Sequence, residues 1–216
     1  MGVVDNLHSQ PTKENVMVLL NTNAQHIFWL GRYLSRTQFL CSHFPFLDDE
    51  AALNYAHAFC LPAFDASSLN ELILDAKQPA SFRYYFKQAQ EKIQKLRGVL
   101  SASAYSELSR LIKTTHENAA YICDVVHDCE DVLEAESPDI FLFFSLGQSL
   151  DQLDQQLRLA IDTQKTLTKI DYLVETLVEM GWEDLEEYWQ QLRRTPSSIQ
   201  FYQFSDHIHQ LFEADL

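Results

Sequence analysis

Phe82, Phe86, Ala89, Ile93, Leu96 and Leu100 recur in alternating steps of four and three. That spacing puts all six side chains on one face of an α-helix and splits them between both faces of a strand. The same rhythm runs along most of the chain. Ile27, Leu30, Leu34, Cys41 and Phe44 form another such stripe, with Thr37 between them. No segment alternates apolar and polar residues over five or more positions. The 216 residues contain only 5 glycines and 6 prolines, which argues against a turn-rich β fold and leaves no glycine-rich loop to cradle a phosphate. The pattern predicts an all-α fold, an antiparallel bundle of seven to nine helices joined by short loops.

Local signals punctuate those helices. "TNAQ" (22–25) reads as a capping box opening a helix that Pro45 stops. "DDEAALNYAHAFC" begins on acids suited to a helix N-terminus, and "SLNE" (68–71) reads as the cap of a short helix. Pro79 suits the first turn of the next helix, and "SAS" (101–103) caps one that the pattern carries on to Glu136. Ser137–Pro138 opens a further helix, and Gly181 suits the residue after the end of another, Leu167 to Met180. Two shorter helices follow, near 183–193 and 196–212. Residues 1–12 read as a flexible polar tail and 13–216 as a single domain.

Charge narrows the function. The net charge of −15 argues against nucleic acid or an anionic membrane surface as a partner, since both require a cationic face. There is no 18-residue apolar run and no signal-peptide core, and Asn6 breaks the myristoylation pattern, so a cytoplasmic location is expected. Cys41, Cys60, Cys123 and Cys129 show no C-x-x-C spacing and read as reduced, mostly packed thiols. Charge is also segregated. Residues 77–113 carry eight Lys or Arg against two acids, whereas 114–157 carry ten acids and no Lys or Arg. Either the two fields neutralise each other within one hairpin, or "DVVHDCEDVLEAESPD" is an acidic ridge for a basic partner or a cation.

No catalytic motif is present, and no cofactor is implied. One constellation could ligate a metal: His116, Cys123, His127 and Glu130 fall on one stripe of the long helix expected over this region. Fourteen residues of helix span about 21 Å, so at most Cys123, His127 and Glu130 could share an ion. A packed core edge accounts for the same stripe.

The segment "HIFWLGRYLSRTQFL" (26–40) is apolar on three sides, which places its helix centrally. Gly31 and Ser35 form a small-residue strip where another backbone could approach. Arg32 and Arg36 lie on the back, where their stems can cover Phe28 and Phe39. They serve either an ion pair with the acidic segment or the binding of a ligand or partner. A second segment, "FSLGQSLDQLD" (144–154), matches "FWLGRYLSRTQ" at Phe28/Phe144, Leu30/Leu146, Gly31/Gly147 and Leu34/Leu150. Duplication of a helical hairpin and chance both account for four matches. Arg32 and Arg36 correspond there to Gln148 and Gln152.

"NTNAQHIFWLGRYLSRTQ" resembles the opening helix of the bacterial alpha-E domain family, which reads approximately "SRxAENLYWLGRYLERAE". "LDAKQPASF", "AQEKIQKLRGVLSASAYSEL" and "FLFFSLGQSLDQLDQQLRL" are similar to later motifs of that family, in the right order over residues 20–160. The resemblance implies an all-helical fold and an accessory role beside a circularly permuted ATP-grasp ligase-like or a transglutaminase-like protein, in peptide ligation or modification. Trp29, Gly31, Arg32, Tyr33, Arg36, Pro79, Glu91 and Arg97 match the family pattern; of these, Trp29, Gly31, Arg32, Tyr33, Arg36, Glu91 and Arg97 are the implied interaction residues. The family's glutamates are replaced by Gln25, Ser35 and Gln38 in the first motif. In the last motif its Arg, Glu and Arg become Gln148, Asp151 and Gln152.

Overall fold

The computed structural model describes residues 19–115 and 121–214, and the expected tail lies outside them. Ten α-helices occur among the described residues: α1 (Asn21–His43), α2 (Asp49–Ala58), α3 (Ala66–Leu74), α4 (Phe82–Lys95), α5 (Ala102–Thr115), α6 (Ile122–Glu134), α7 (Pro138–Arg158), α8 (Gln164–Glu179), α9 (Leu185–Arg194) and α10 (Ser198–Glu213). None is long and apolar enough to cross a membrane. The fold is the all-α bundle expected.

The tenth helix comes from a division of the expected helix 103–136. Glu136, just beyond α6, accepts from both the backbone N–H and the hydroxyl of Ser101, just before α5, at 3.0 and 2.5 Å. The two helices therefore run antiparallel. The apolar rhythm stays in phase across the break because both helices present the same kind of stripe to the core, Leu108 and Ile112 from one, Val126, Cys129 and Leu133 from the other.

Helix ends follow the caps, with shifts. Ser137 precedes Pro138 at the first position of α7. Gly181, with φ +102°, closes α8 through Trp182 N–H to Leu177 O and Gly181 N–H to Val178 O, both 3.0 Å, the paired bonds of a Schellman motif. Asp65, not Ser68, is the cap of α3, with Ser68 three residues in and reciprocating. Ser81, not Pro79, starts α4 by accepting from Tyr84 N–H. The box expected at Thr22–Gln25 does not form: α1 starts at Asn21 behind Leu20 with no side-chain cap. Asn21 instead donates to Leu211 O at 3.1 Å, tying that end to α10.

The core is one apolar cluster with members from every helix, and α1 is its axis. It packs most extensively on α7 and α4 and also touches α6 and α10. Ala24, Ile27, Phe28, Leu30, Gly31, Arg32, Leu34, Ser35, Thr37 and Leu40 are all buried. Two arginines at the centre of such a helix need partners, because an unpaired buried charge costs several kcal/mol (on the order of 3–5).

Candidate functional site

The site is created by a close crossing of α1 and α7. A Cβ added at Gly31 would stand 2.3 Å from Phe144 O, and one at Gly147 would stand 2.0 Å from Phe28 O. Each glycine therefore receives the backbone of the other helix, at positions related by the sequence match. Ser35 Oγ continues the contact by donating to Gln148 O at 3.4 Å. From Gly31 with Phe144 and Gln148, through Ser35 with Gln148, to Arg36 with Asp151 the contacts move in the same direction along both helices, so this central pair runs parallel. The two matched segments are thus reciprocal in space, as two copies related by a local two-fold would be.

With the backbones in contact, even the short side chain of Asp151 reaches both arginines. Asp151 Oδ1 accepts from Arg36 Nε at 2.7 Å and lies 3.4 Å from Arg32 Nε. Its other oxygen accepts from Gln155 Nε2 at 2.6 Å. Asp151 is 1% exposed and Arg32 is buried, while the Arg36 side chain is 32% exposed. The Arg32 guanidinium also lies 5.3 Å from the Trp29 ring centroid and 5.9 Å from that of Phe28, close enough for cation–π attraction. Burial pulls Arg32 below the ordinary guanidinium value, against the opposing pull of Asp151. The facing Asp151 carboxylate raises Arg36 above it. Both remain charged at neutral pH.

A second ion pair extends the row along α7. Arg158 Nε donates to Asp154 Oδ1 at 2.8 Å and its NH1 to Ala58 O at 3.1 Å; another nitrogen donates to the Tyr202 hydroxyl. Arg36, Asp151, Asp154, Gln155 and Arg158 line a pocket of about 220 Å³, walled by Phe39, Tyr55, Phe59, Leu61, Ala80 and Tyr85. Burial raises the Tyr55 and Tyr85 phenols above the usual value, so both are neutral donors at neutral pH.

Across the crossing lies the counterpart of this pocket, about 600 Å³ in volume and lined by Ser35, Gln38, Phe39, Ser42, Glu130, Gln148, Gln152, Gln155, Gln156, Ile161 and Lys169. In the matched register Ser35 stands for Asp151, Gln38 for Asp154, Ser42 for Arg158, Gln148 for Arg32 and Gln152 for Arg36. One side has kept its charges. The other is filled mostly with amides and hydroxyls.

The remaining sequence candidates divide. Trp29 stacks on Tyr33 and on His209, at 5.6 and 5.3 Å between centroids, and flanks Arg32. Glu91 is exposed on α4, on the Tyr33 side, and Arg97 is exposed after α4 with its guanidinium over Tyr105. Neither belongs to the charged pocket. The metal stripe does not hold as one helix. Its helix breaks between α5 and α6, and His116 and the Cys123 side chain lie outside the described residues. His127 is exposed and 3.9 Å from Glu130, whose carboxyl burial pushes up. Among the described residues no three His, Cys, Asp or Glu side chains are grouped to hold a metal. The row Asp151, Asp154, Gln155 and Arg158, with Tyr55 and Tyr85, was not singled out from sequence. Its signal was the three-and-four spacing of polar residues on an otherwise apolar helix.

Among the described residues the most buried ion pair, Arg32 with Asp151, joins two parallel central helices, which defines the class: an all-α domain with a charged centre between paired segments. A family model described as Alpha-E, a predicted alpha-helical domain with a conserved ER motif, matches residues 19–204, and the chain belongs to this family. Neither a curated protein nor a solved structure matches it. No Glu-Arg dipeptide occurs anywhere in the chain. At the two matched places it reads Ser35-Arg36 and Asp151-Gln152, and the retained basic and acidic halves are the pair that meets at 2.7 Å.

Proposed function

We propose that the protein is a non-catalytic, cytoplasmic accessory or docking subunit of a peptide ligation or modification system, its partner an ATP-grasp ligase-like or transglutaminase-like protein. The observation that carries this reading is the composition of the charged centre. Arg32, Arg36, Asp151, Asp154, Gln155 and Arg158 include no nucleophile set beside a base, and their hydrogen bonds are spent largely on one another. Such a cluster holds and orients. Membership of the alpha-E family supports the choice of partner.

Residues 13–216 act as one domain in this reading. Of the interaction residues, Trp29, Gly31, Arg32 and Tyr33 build the centre, while Arg36, Glu91 and Arg97 offer groups to a partner, since these three reach solvent. The test is affinity capture of the tagged protein from its native host after mild crosslinking, with the bound proteins identified by mass spectrometry. The expected result is enrichment of an ATP-grasp-like or transglutaminase-like protein, reduced when Glu91 and Arg97 are replaced by glutamine. Recovery of neither type of protein overturns the reading.

A further inference from the structure

The charged pocket is out of balance. Arg36 and Arg158 line it and Arg32 stands directly behind, against only Asp151 and Asp154. Three guanidiniums thus share two carboxylates. Both oxygens of Asp151 are engaged, Oδ1 by the two arginines and Oδ2 by Gln155. Arg36 uses its Nε on Asp151, and its side chain is still one-third exposed, at the pocket. A guanidinium carries five N–H donors, so the fork of Arg36 keeps donors for a second acceptor.

We propose that this pocket binds one small monocarboxylate bearing an apolar or aromatic arm, with the carboxylate on Arg36 and the arm lying against the wall that the contacting rings of Phe39 and Phe59 form. Four features define that ligand. A single negative charge balances the excess of one positive charge, whereas a phosphate dianion overshoots it. The planar fork of arginine matches a carboxylate. The phenols of Tyr55 and Tyr85, neutral hydroxyls lining the same space, can donate to an anion beside the arginines. The volume of about 220 Å³ is smaller than the roughly 300 Å³ at which drug-sized ligand pockets begin; it admits a group the size of one amino-acid residue and excludes a nucleotide. The amide-lined counterpart across the crossing has exchanged its arginine positions for Gln148 and Gln152, and the charge of its Lys169 is offset by Glu130. This inference stands on the isolated chain and does not require the partner proposed above.

Calorimetric titration of the full-length protein at low salt tests it, with N-acetyl-L-phenylalanine as probe. Saturable one-to-one binding is expected, weakened about ten-fold or more by replacing the probe with N-acetyl-L-phenylalaninamide, the loss of a charge-assisted hydrogen-bond pair. Arg36→Gln should weaken binding to the same degree. Because Arg36→Gln also disturbs the buried pair, Ala80→Phe serves as the second variant: it fills the pocket from the loop before α4 without touching a charge. It should abolish binding with the melting temperature unchanged. The tripeptide Gly-Gly-Phe separates the two sources of the carboxylate. Binding equal to the probe assigns a peptide C-terminus and weaker binding a free small acid, and either supports the pocket. No binding at about ten times the millimolar range typical of weak ligands, equal binding of the amide, tighter binding of inorganic phosphate, or undiminished binding by Ala80→Phe overturns it.

Discussion

Among the described residues, three helices end on a residue with positive φ, and only one of those residues is glycine. Gly181 closes α8, Cys60 (φ 55°) closes α2 and Ala160 (φ 53°) closes α7. All three ends share the longer of the two reversed hydrogen bonds, Leu61 N–H to Ala56 O at 2.8 Å and Ile161 N–H to Gln156 O at 2.9 Å in the non-glycine cases. A residue with a Cβ pays roughly 1–2 kcal/mol to occupy this region, whereas glycine costs roughly 0.5–1 kcal/mol more in unfolded-chain entropy. The difference favours glycine. Cys60→Gly and Ala160→Gly should each raise stability by about 0.5 kcal/mol, measured by urea denaturation. Of these three stops only Gly181 was readable in the sequence. A cysteine or an alanine in the left-handed region leaves no compositional mark, because the surrounding contacts impose it.

At the scale of helices, the crossing of α1 and α7 depends on two absent side chains. A methyl at Gly31 or Gly147 would meet a carbonyl oxygen at 2.3 or 2.0 Å, and backbone cannot swing aside as a rotamer can. Overpacking commonly costs 1–3 kcal/mol where side chains give way. Gly31→Ala and Gly147→Ala should each exceed about 3 kcal/mol, while Gly98→Ala, with nothing within 4 Å of its added Cβ, should stay within about 0.5 kcal/mol. Chemical denaturation of the three variants separates these expectations. The same crossing delivers Asp151 to two arginines, so Asp151→Asn should cost about 3 kcal/mol by stranding both guanidiniums. A loss under about 1 kcal/mol would mean that solvent already satisfies them. Much of this element was legible: the three apolar flanks of residues 26–40, the small-residue strip and the matched segment around Gly147 all pointed to a central, close-packed helix. The identity of the arginines' partner was not. Ten acids lie between residues 114 and 157, and periodicity says which face an acid occupies without saying which helix faces it. The fused reading of 103–136 failed for a related reason, since a stripe that continues in phase reads alike through a straight helix and a hairpin.

At the scale of the whole molecule, an acidic chain is expected to gain from a modest fall in pH, because protonation relieves its self-repulsion. Two histidines oppose that. His209 stacks on Trp29 and meets Phe28 edge-on, with Nε2 buried and without a hydrogen-bond partner. Burial, then the nearby Arg32, holds its pKa below the ordinary value of 6.5. His26 is held low by burial and by Lys92 and Lys95. Since both groups are harder to protonate in the folded state, the unfolded chain takes up protons first as pH falls. Their contribution is therefore present in full above the unfolded value of 6.5 and declines as pH drops below it toward the lower folded values. Ordinary carboxylates titrate near 4; among the described carboxylates only Glu130, which burial pushes up, opposes the two histidines, so between pH 7.5 and 5.5 unfolding free energy should fall. His209→Phe keeps a ring against Trp29 and removes the titration. Its stability should change less than that of the wild type over the same interval, measured by urea denaturation at each pH. Equal slopes for the two proteins would place the acid sensitivity elsewhere. A wild-type stability that rises toward pH 5.5 would mean that relief of charge repulsion outweighs the buried rings packed against the arginine centre.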